Sequence, residues 1–277
     1  MHKLKTLKPY NNKIKGAKMD YEKFFEKYSL KYKKDFPEMY DAYHLKEIHC
    51  KNVSKEARNL AESIGLNKKD IDFIAAAGLF HDIGRFPQFA QFQTFNDLIS
   101  CDHGKKSAKE AVKTGLIYEF EKDKRDIFLS CLFFHNKKEI PEFKNSSKKQ
   151  IKSFFLKILK DADKLDIYRV VCENYTDPDK NSNIISMNFD DSGKISSKIV
   201  SDILNKKPAS TSDVKSLTDL KLSQLSWVFD LHFDYSLKQV EKRGYIEEIF
   251  STIDPCKKSN QCKNVISEFL NSSILRP

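Results

Sequence analysis

The sequence predicts an all-α chain with one small β-hairpin. Two observations carry this. Glycine and proline number only eight each in 277 residues, too few turn formers for a repetitive β architecture. From Asp20 onward, stretches of helical patterning follow one another with short breaks. Tyr21–Lys34 is a charged, aromatic-bearing helix, and Pro37 suits the first turn of the next, where its missing N–H costs little. That helix runs to about Ile64, Gly65 and Asn67 punctuate it, and Lys68–Phe80 follows. Gly84 and Pro87 interrupt the pattern. Later helices are expected at Cys101–Thr114, Lys122–His135, Ser147–Glu173, Val214–Arg243 with a break near Asp234, and Gln261–Leu270. The polar segment 174–194, with the turn signal Asp191-Ser192-Gly193, is the exception. There Ile184–Phe189 is expected to form a strand of a small hairpin. The chain is divided into a flexible basic arm (1–19), a helical catalytic domain (20–173) and a helical C-terminal extension (174–277) that packs on it.

Composition excludes several classes. The chain is 40% hydrophobic and 32% charged, unlike a disordered or collagenous sequence. Its longest uncharged apolar run, Phe73–Phe80, is far short of the roughly twenty residues of a membrane span. The six cysteines fit no disulfide framework or zinc-ribbon spacing, and the Lys-rich start lacks the apolar stretch that secretion requires. A reducing cytoplasm is therefore expected. The formal charge is +10, but the first 18 residues hold six lysines and no acid, so +4 remains for the rest. That modest excess suits a small phosphorylated ligand as well as a polynucleotide.

Five of the seven histidines stand out: His49, His81, His103, His135 and His232. His49 shares a helical stripe with Val53, Ala57, Leu60 and Ile64, so it points inward. His135 does likewise, following Phe128, Cys131 and Leu132. His81 is followed directly by Asp82. His103 lies near a helix start, after Ser100 and Asp102. In the long helix the stripe Leu156, Leu159, Asp163, Ile167, Val170 turns Asp163 inward, where an ionised carboxylate needs a counter-charge or a metal. Asp161, beside Lys157 and Lys164, is expected on nearly the opposite face and in need of no partner. A single inward His is commonly a hydrogen-bonded core residue, and an inward Asp can pin two helices. Their recurrence on successive helices favours a metal site, and imidazole with carboxylate suits Zn, Fe, Mn, Co or Ni.

The order His49, His81-Asp82, Asp163 resembles the HD-domain metal-dependent phosphohydrolase superfamily over about residues 20–173. His103 and His135 match the two further histidines of its binuclear members. The resemblance implies an HD helical bundle and two divalent transition-metal ions. Asp82 would bridge them, with His49, His81 and Asp163 on one ion and His103 and His135 on the other. Asp82, His103 and His135 are then the residues nearest the chemistry, which is attack of a metal-activated water on a phosphorylated substrate, a nucleotide first. Arg85 stands where the related HD-GYP phosphodiesterases carry a phosphate-contacting Lys, although capping the break at Gly84 is an equal reading. Lys105 and Lys106 are further substrate-binding candidates for the pocket rim, though such lysines are more often simply solvated. The aromatic run Phe86–Phe92 is read as core packing before base stacking, and Cys50, Cys101 and Cys131 as small hydrophobes. Tyr175 and His232 belong to the extension, and nothing in the sequence ties them to the pocket.

The sequence departs from HD-GYP enzymes, because Asn136-Lys137-Lys138-Glu139 follows His135. It also lacks the Glu-Asp pair of the alarmone hydrolases. The same six-ligand set is similar to that of di-iron inositol and phosphonate oxygenases, and the ligand order to that of CRISPR-associated single-strand nucleases. A regulatory module without catalysis is the remaining alternative. Nucleic acid therefore ranks behind a small substrate as partner, and no membrane partner is expected.

Overall fold

A computed structural model describes residues 19–143, 148–177, 183–186 and 189–274. The expected arm over residues 1–19 lies outside them except for Met19. Among the described residues the chain is all-helical, and no helix is long and apolar enough to cross a membrane. The chain falls into two compact units, Met1–Ser54 with Asp72–Leu159, and Lys55–Ile71 with Lys160–Pro277.

The first unit is built on α1 (Tyr21–Asp35), the start of α2 (Tyr40–Ser63), most of α3 (Lys68–Phe80), α4 (Arg85–Phe92), α5 (His103–Lys113), α6 (Lys122–Phe134) and the start of α7 (Lys149–Thr176). Asp20 caps α1 by accepting the Lys23 N–H, and Asp102 caps α5 by accepting that of Lys105. The core is aromatic. Phe86 stacks on Tyr43 at 5.8 Å and meets Phe25 edge-on at 5.9 Å, and Phe120 stacks on Phe128 at 4.2 Å. Phe86 and Phe89 are thus core residues, while Phe92 is exposed and lies under Lys106. Helix α4 runs across Pro87, where the sequence predicts a break. Pro87 is the third residue of that helix, and a first-turn N–H has no intrahelical acceptor to lose.

The second unit holds the rest of α7, α8 (Asn183–Ser186), α9 (Ser197–Leu204), α10 (Leu217–Leu225), α11 (Asp234–Lys242), α12 (Tyr245–Ser251) and α13 (Lys257–Ile274). Tyr168 and Cys172 of α7 sit in an apolar core with Ile203, Leu222, Ile249 and Ile266. The Tyr168 hydroxyl donates to Gln224 O at 3.0 Å, and its ring stacks on Tyr245. Asp219 ties the start of α9 to α10 by accepting from Ser196 N at 2.8 Å. The predicted break near Asp234 falls at 231–233.

The hairpin expected around Ile184–Phe189 is corrected. Asn183–Ser186 is a short helix, and no strand occurs among the described residues. A two-stranded hairpin is marginal without a third strand or a packing face, and this polar segment supplies neither. Residues 187–188 lie outside the described set.

Candidate metal centre

The centre is built at the turn that ends α3. His81 and Asp82 follow Phe80 directly and are buried. Gly84 makes the turn possible. A Cβ there would fall 2.4 Å from Ser107 N, so only glycine lets α5 come this close, and the Gly84 N–H donates to Ser107 Oγ at 3.0 Å. His103 is the first residue of α5 and His135 the C-cap of α6. Gly104 brings those two ends together, since a Cβ on it would meet Phe133 O and Asn136 Oδ1 at 2.6 Å. His49 comes from α2 and is buried.

The four histidines converge on Asp82, whose two oxygens face different partners. Oδ2 lies 3.8 Å from His49 Nε2 and 3.7 Å from His81 Nε2. Oδ1 lies 3.6 Å from His103 Nε2 and 3.5 Å from His135 Nε2. His81, Asp82 and His135 each offer a ligand atom within 4.8 Å of the others.

The protons of this cluster show that the donor set suits a cation. His81 Nδ1 faces Gly78 O at 2.7 Å, His135 Nδ1 faces Leu132 O at 2.8 Å, and His103 Nδ1 faces Asp97 Oδ2 at 2.6 Å. Each acceptor requires an N–H on Nδ1, so in a neutral ring Nε2 carries a lone pair. Burial, and then the Arg85 guanidinium, push the His103 imidazole down to about 3, so it is neutral. His103 Nε2 and His135 Nε2 are 3.0 Å apart, two ring nitrogens brought into close contact beside Asp82 Oδ1. A metal ion resolves that contact, and the Nδ1–H bonds fix the rings for it. Burial alone would raise the Asp82 carboxyl, but Lys46, His81 and Arg85 hold it well below the usual range, and it remains an anion.

Around the ligands lie residues that sequence reasoning missed. Lys46 Nζ donates to Asp82 Oδ2 at 2.9 Å. Its signal was available, for it precedes His49 by three residues on the same helix face. Asp97 had no such signal. It sits in the connector between α4 and α5, holds His103 through Oδ2, and accepts from Arg85 Nη1 at 2.9 Å through Oδ1. Asn136 donates to Asp97 Oδ2 at 3.2 Å.

Arg85 is no surface cap. Its Nη1 donates to Gln88, Phe95 O and Asp97, its Nε lies 3.5 Å from Asp82 Oδ1, and its Nη2 lies 3.3 Å from His103 Nε2. Lys106 donates to Gln91 Oε1 at 3.1 Å. Lys105 is exposed and borders an apolar groove lined by Val112, Leu129 and Phe133. Cys50 and Cys131 are buried, and burial pushes the Cys131 thiol up to about 12, which makes it a core residue.

In the second unit, Asp163 lies half-buried on α7. The expectation for Asp161 is corrected. It is fully buried and accepts from His232 N at 2.9 Å, Phe233 N at 3.1 Å and His232 Nδ1 at 2.8 Å. Leu159, Lys160, Asp161 and Ala162 are all buried in succession, so this part of α7 has no single inward face. Tyr175 donates to Gln224 Oε1 at 2.8 Å.

Residues 47–168 match the family model of the HD domain, a span that runs from just before His49 to just beyond Asp163. No curated protein matches the chain, and no solved structure does. Residues 47–168 thus form an HD-domain region by this match, with His and Asp side chains clustered in a way consistent with a binuclear metal site.

Proposed function

We propose that this chain is an HD-type hydrolase that cleaves a phosphoester or phosphoanhydride bond of a small phosphorylated molecule, with a nucleotide as the favoured class. The observation that carries the reading is the division of Asp82 between two histidine pairs, Oδ2 toward His49 and His81 and Oδ1 toward His103 and His135. One carboxylate is thereby offered to two metal positions at once. Asp163 completes the first position in this proposal, supported by its place in the sequence pattern and within the matched span. Bound divalent transition-metal ions (Fe, Mn, Zn, Co or Ni) supply Lewis acidity that makes water a nucleophile near neutral pH and offsets charge on a phosphoryl group.

The chain's own residues do the rest. The Nδ1–H bonds of His81, His103 and His135 hold the ring planes fixed. Arg85, with Nη1 anchored, keeps Nε and Nη2 on the side of Asp82 and His103, where they can bear on a phosphate. Lys105 and Lys106 add positive charge at the start of α5. The small charge excess beyond the first 18 residues favours a small substrate over a polynucleotide. Residues 20–173 form the catalytic domain and 174–277 its extension. Cysteine spacing that fits no disulfide framework is the ground for a cytoplasmic setting.

The test is metal content by mass spectrometry on protein purified without chelator, with phosphate release from a phosphoester and nucleotide panel in the same sample. Two ions per chain, with one ion and the activity lost in His135→Ala, is the expected result. Two irons with oxygen consumption and no hydrolysis would replace the reading with an oxygenase. Metal content unchanged in the variant would remove His135 from the centre.

A further inference from the structure

We infer that Lys46 is a two-position cation. It pairs with Asp82 Oδ2 in the structure and, once metal occupies the centre, grips a phosphate oxygen of the substrate, a role that rests on the phosphohydrolase reading above. Its ammonium lies 2.9 Å from Asp82 Oδ2, the oxygen turned toward His49 and His81. A metal position there needs the same oxygen, and an ammonium beside a divalent cation is repelled. Loading therefore displaces Lys46 from Asp82.

The neighbouring cation does not share this freedom. Arg85 is held by Gln88 Oε1 at 2.8 Å, Phe95 O at 2.6 Å and Asp97 Oδ1 at 2.9 Å, and those bonds do not involve Asp82. Lys46 has a flexible four-carbon stem, and its side chain is 18% exposed, so it has room to turn. Phe95 gives it a wall to turn against. The Lys46 ammonium lies 5.3 Å from that ring centroid and the Arg85 guanidinium 5.7 Å from it.

Charge names the ligand. Asp82, Asp97 and the proposed ligand Asp163 set three carboxylates against the two cations Lys46 and Arg85. Two divalent ions add four positive charges, and a phosphate dianion offsets two of them where a diester offsets one. A terminal phosphate or phosphomonoester with at least one oxygen reachable from Lys46 Nζ is thus the substrate group for this subsite. A fixed diester charge would satisfy it less well.

The experiment uses the full chain and two calorimetric titrations, Mn²⁺ into metal-free protein and inorganic phosphate into Mn²⁺-loaded protein, for wild type, Lys46→Met and Lys46→Arg. In Lys46→Met, loss of the competing cation should tighten Mn²⁺ binding by about threefold to tenfold. Loss of a charge-assisted hydrogen bond should weaken phosphate binding about tenfold or more. Lys46→Arg should hold phosphate within about threefold of wild type, since it keeps the charge and the donors. Normal Mn²⁺ uptake with phosphate affinity in Lys46→Met within about twofold of wild type overturns this inference alone. Weaker Mn²⁺ binding in Lys46→Met also overturns it, by making Lys46 a support for the ligands. A wild-type chain that takes up no Mn²⁺ overturns the metal-centre reading and this inference with it.

Discussion

Replacing Asp97 should weaken one metal position and spare the other. Its Oδ2 receives the His103 Nδ1–H at 2.6 Å and the Asn136 amide at 3.2 Å, and its Oδ1 receives Arg85 Nη1 at 2.9 Å and Gln88 Nε2 at 3.0 Å. Asp97→Ala leaves His103 free to rotate and frees Arg85 from one anchor. Carboxylates behind a metal-ligating histidine are typically worth about 10–100-fold in metal affinity, or roughly 1.4–2.7 kcal/mol. His49 and His81 face Asp82 Oδ2 rather than Oδ1, so the position they form there keeps its support. A Mn²⁺ titration of Asp97→Ala should therefore show one step weakened by about 10–100-fold and the other within about twofold of wild type. Asp97→Asn should recover much of the loss, because an amide oxygen still accepts the Nδ1–H. Equal weakening of both steps, or of neither, would refute the assignment of Asp97 to the His103–His135 half.

Further outcomes follow from other contacts. In Gly104→Ala a Cβ placed 2.6 Å from Phe133 O must push α5 from α6, at a cost of about 1–3 kcal/mol, and a urea midpoint equal to wild type would contradict this. Asp161→Ala strands the N–H groups of His232 and Phe233 and should cost roughly 3 kcal/mol in urea unfolding, with Asp161→Asn milder; a loss under about 0.5 kcal/mol would mean that those donors find water. Burial would raise the Glu47 carboxyl, but hydrogen bonds from Lys33, Lys51 and Ser29 bring it down to about 2, below its ordinary 4.5. Because the folded-state value is depressed, this stabilisation is complete above about pH 4.5 and is lost as pH falls toward 2, so urea midpoints of Glu47→Gln should fall less steeply with acid than those of wild type. Cys256 is exposed, and the Ser259 hydroxyl holds its thiol below the usual range, so brief iodoacetamide treatment of folded protein should label it before buried Cys50, Cys131, Cys172 and Cys262; mass mapping reads the order.

The helices that carry the centre were legible because their signals are local. His49 sits on an unbroken apolar stripe, and the Gly84 turn follows the His81-Asp82 pair at once. Helices α9 and α12 escaped notice because eight and seven residues give too few turns for a periodic pattern. Pro87 misled because its meaning depends on helix position, and that position was set by the Gly84 turn before it. The Asp161 error has another cause. Helical periodicity assigns one buried face, whereas α7 is buried at four consecutive residues, so its polar side chains are decided by tertiary partners such as His232. Asp97 was invisible for a related reason, since a connector residue gains its role only when the chain folds back on it.

That connector gives the two halves of the centre different histories. It runs from Gln93 to Asp102 between two helices, and Leu98 and Ile99, beside Asp97, are 77% and 73% exposed. Residues of this kind drift freely in evolution, while helix-borne ligands do not. A change of length or composition there would reorient His103 and retune one metal position with every ligand intact. Two such proteins could carry identical ligand sets and still differ in which metal they keep, and the difference would be written in a segment that touches no metal.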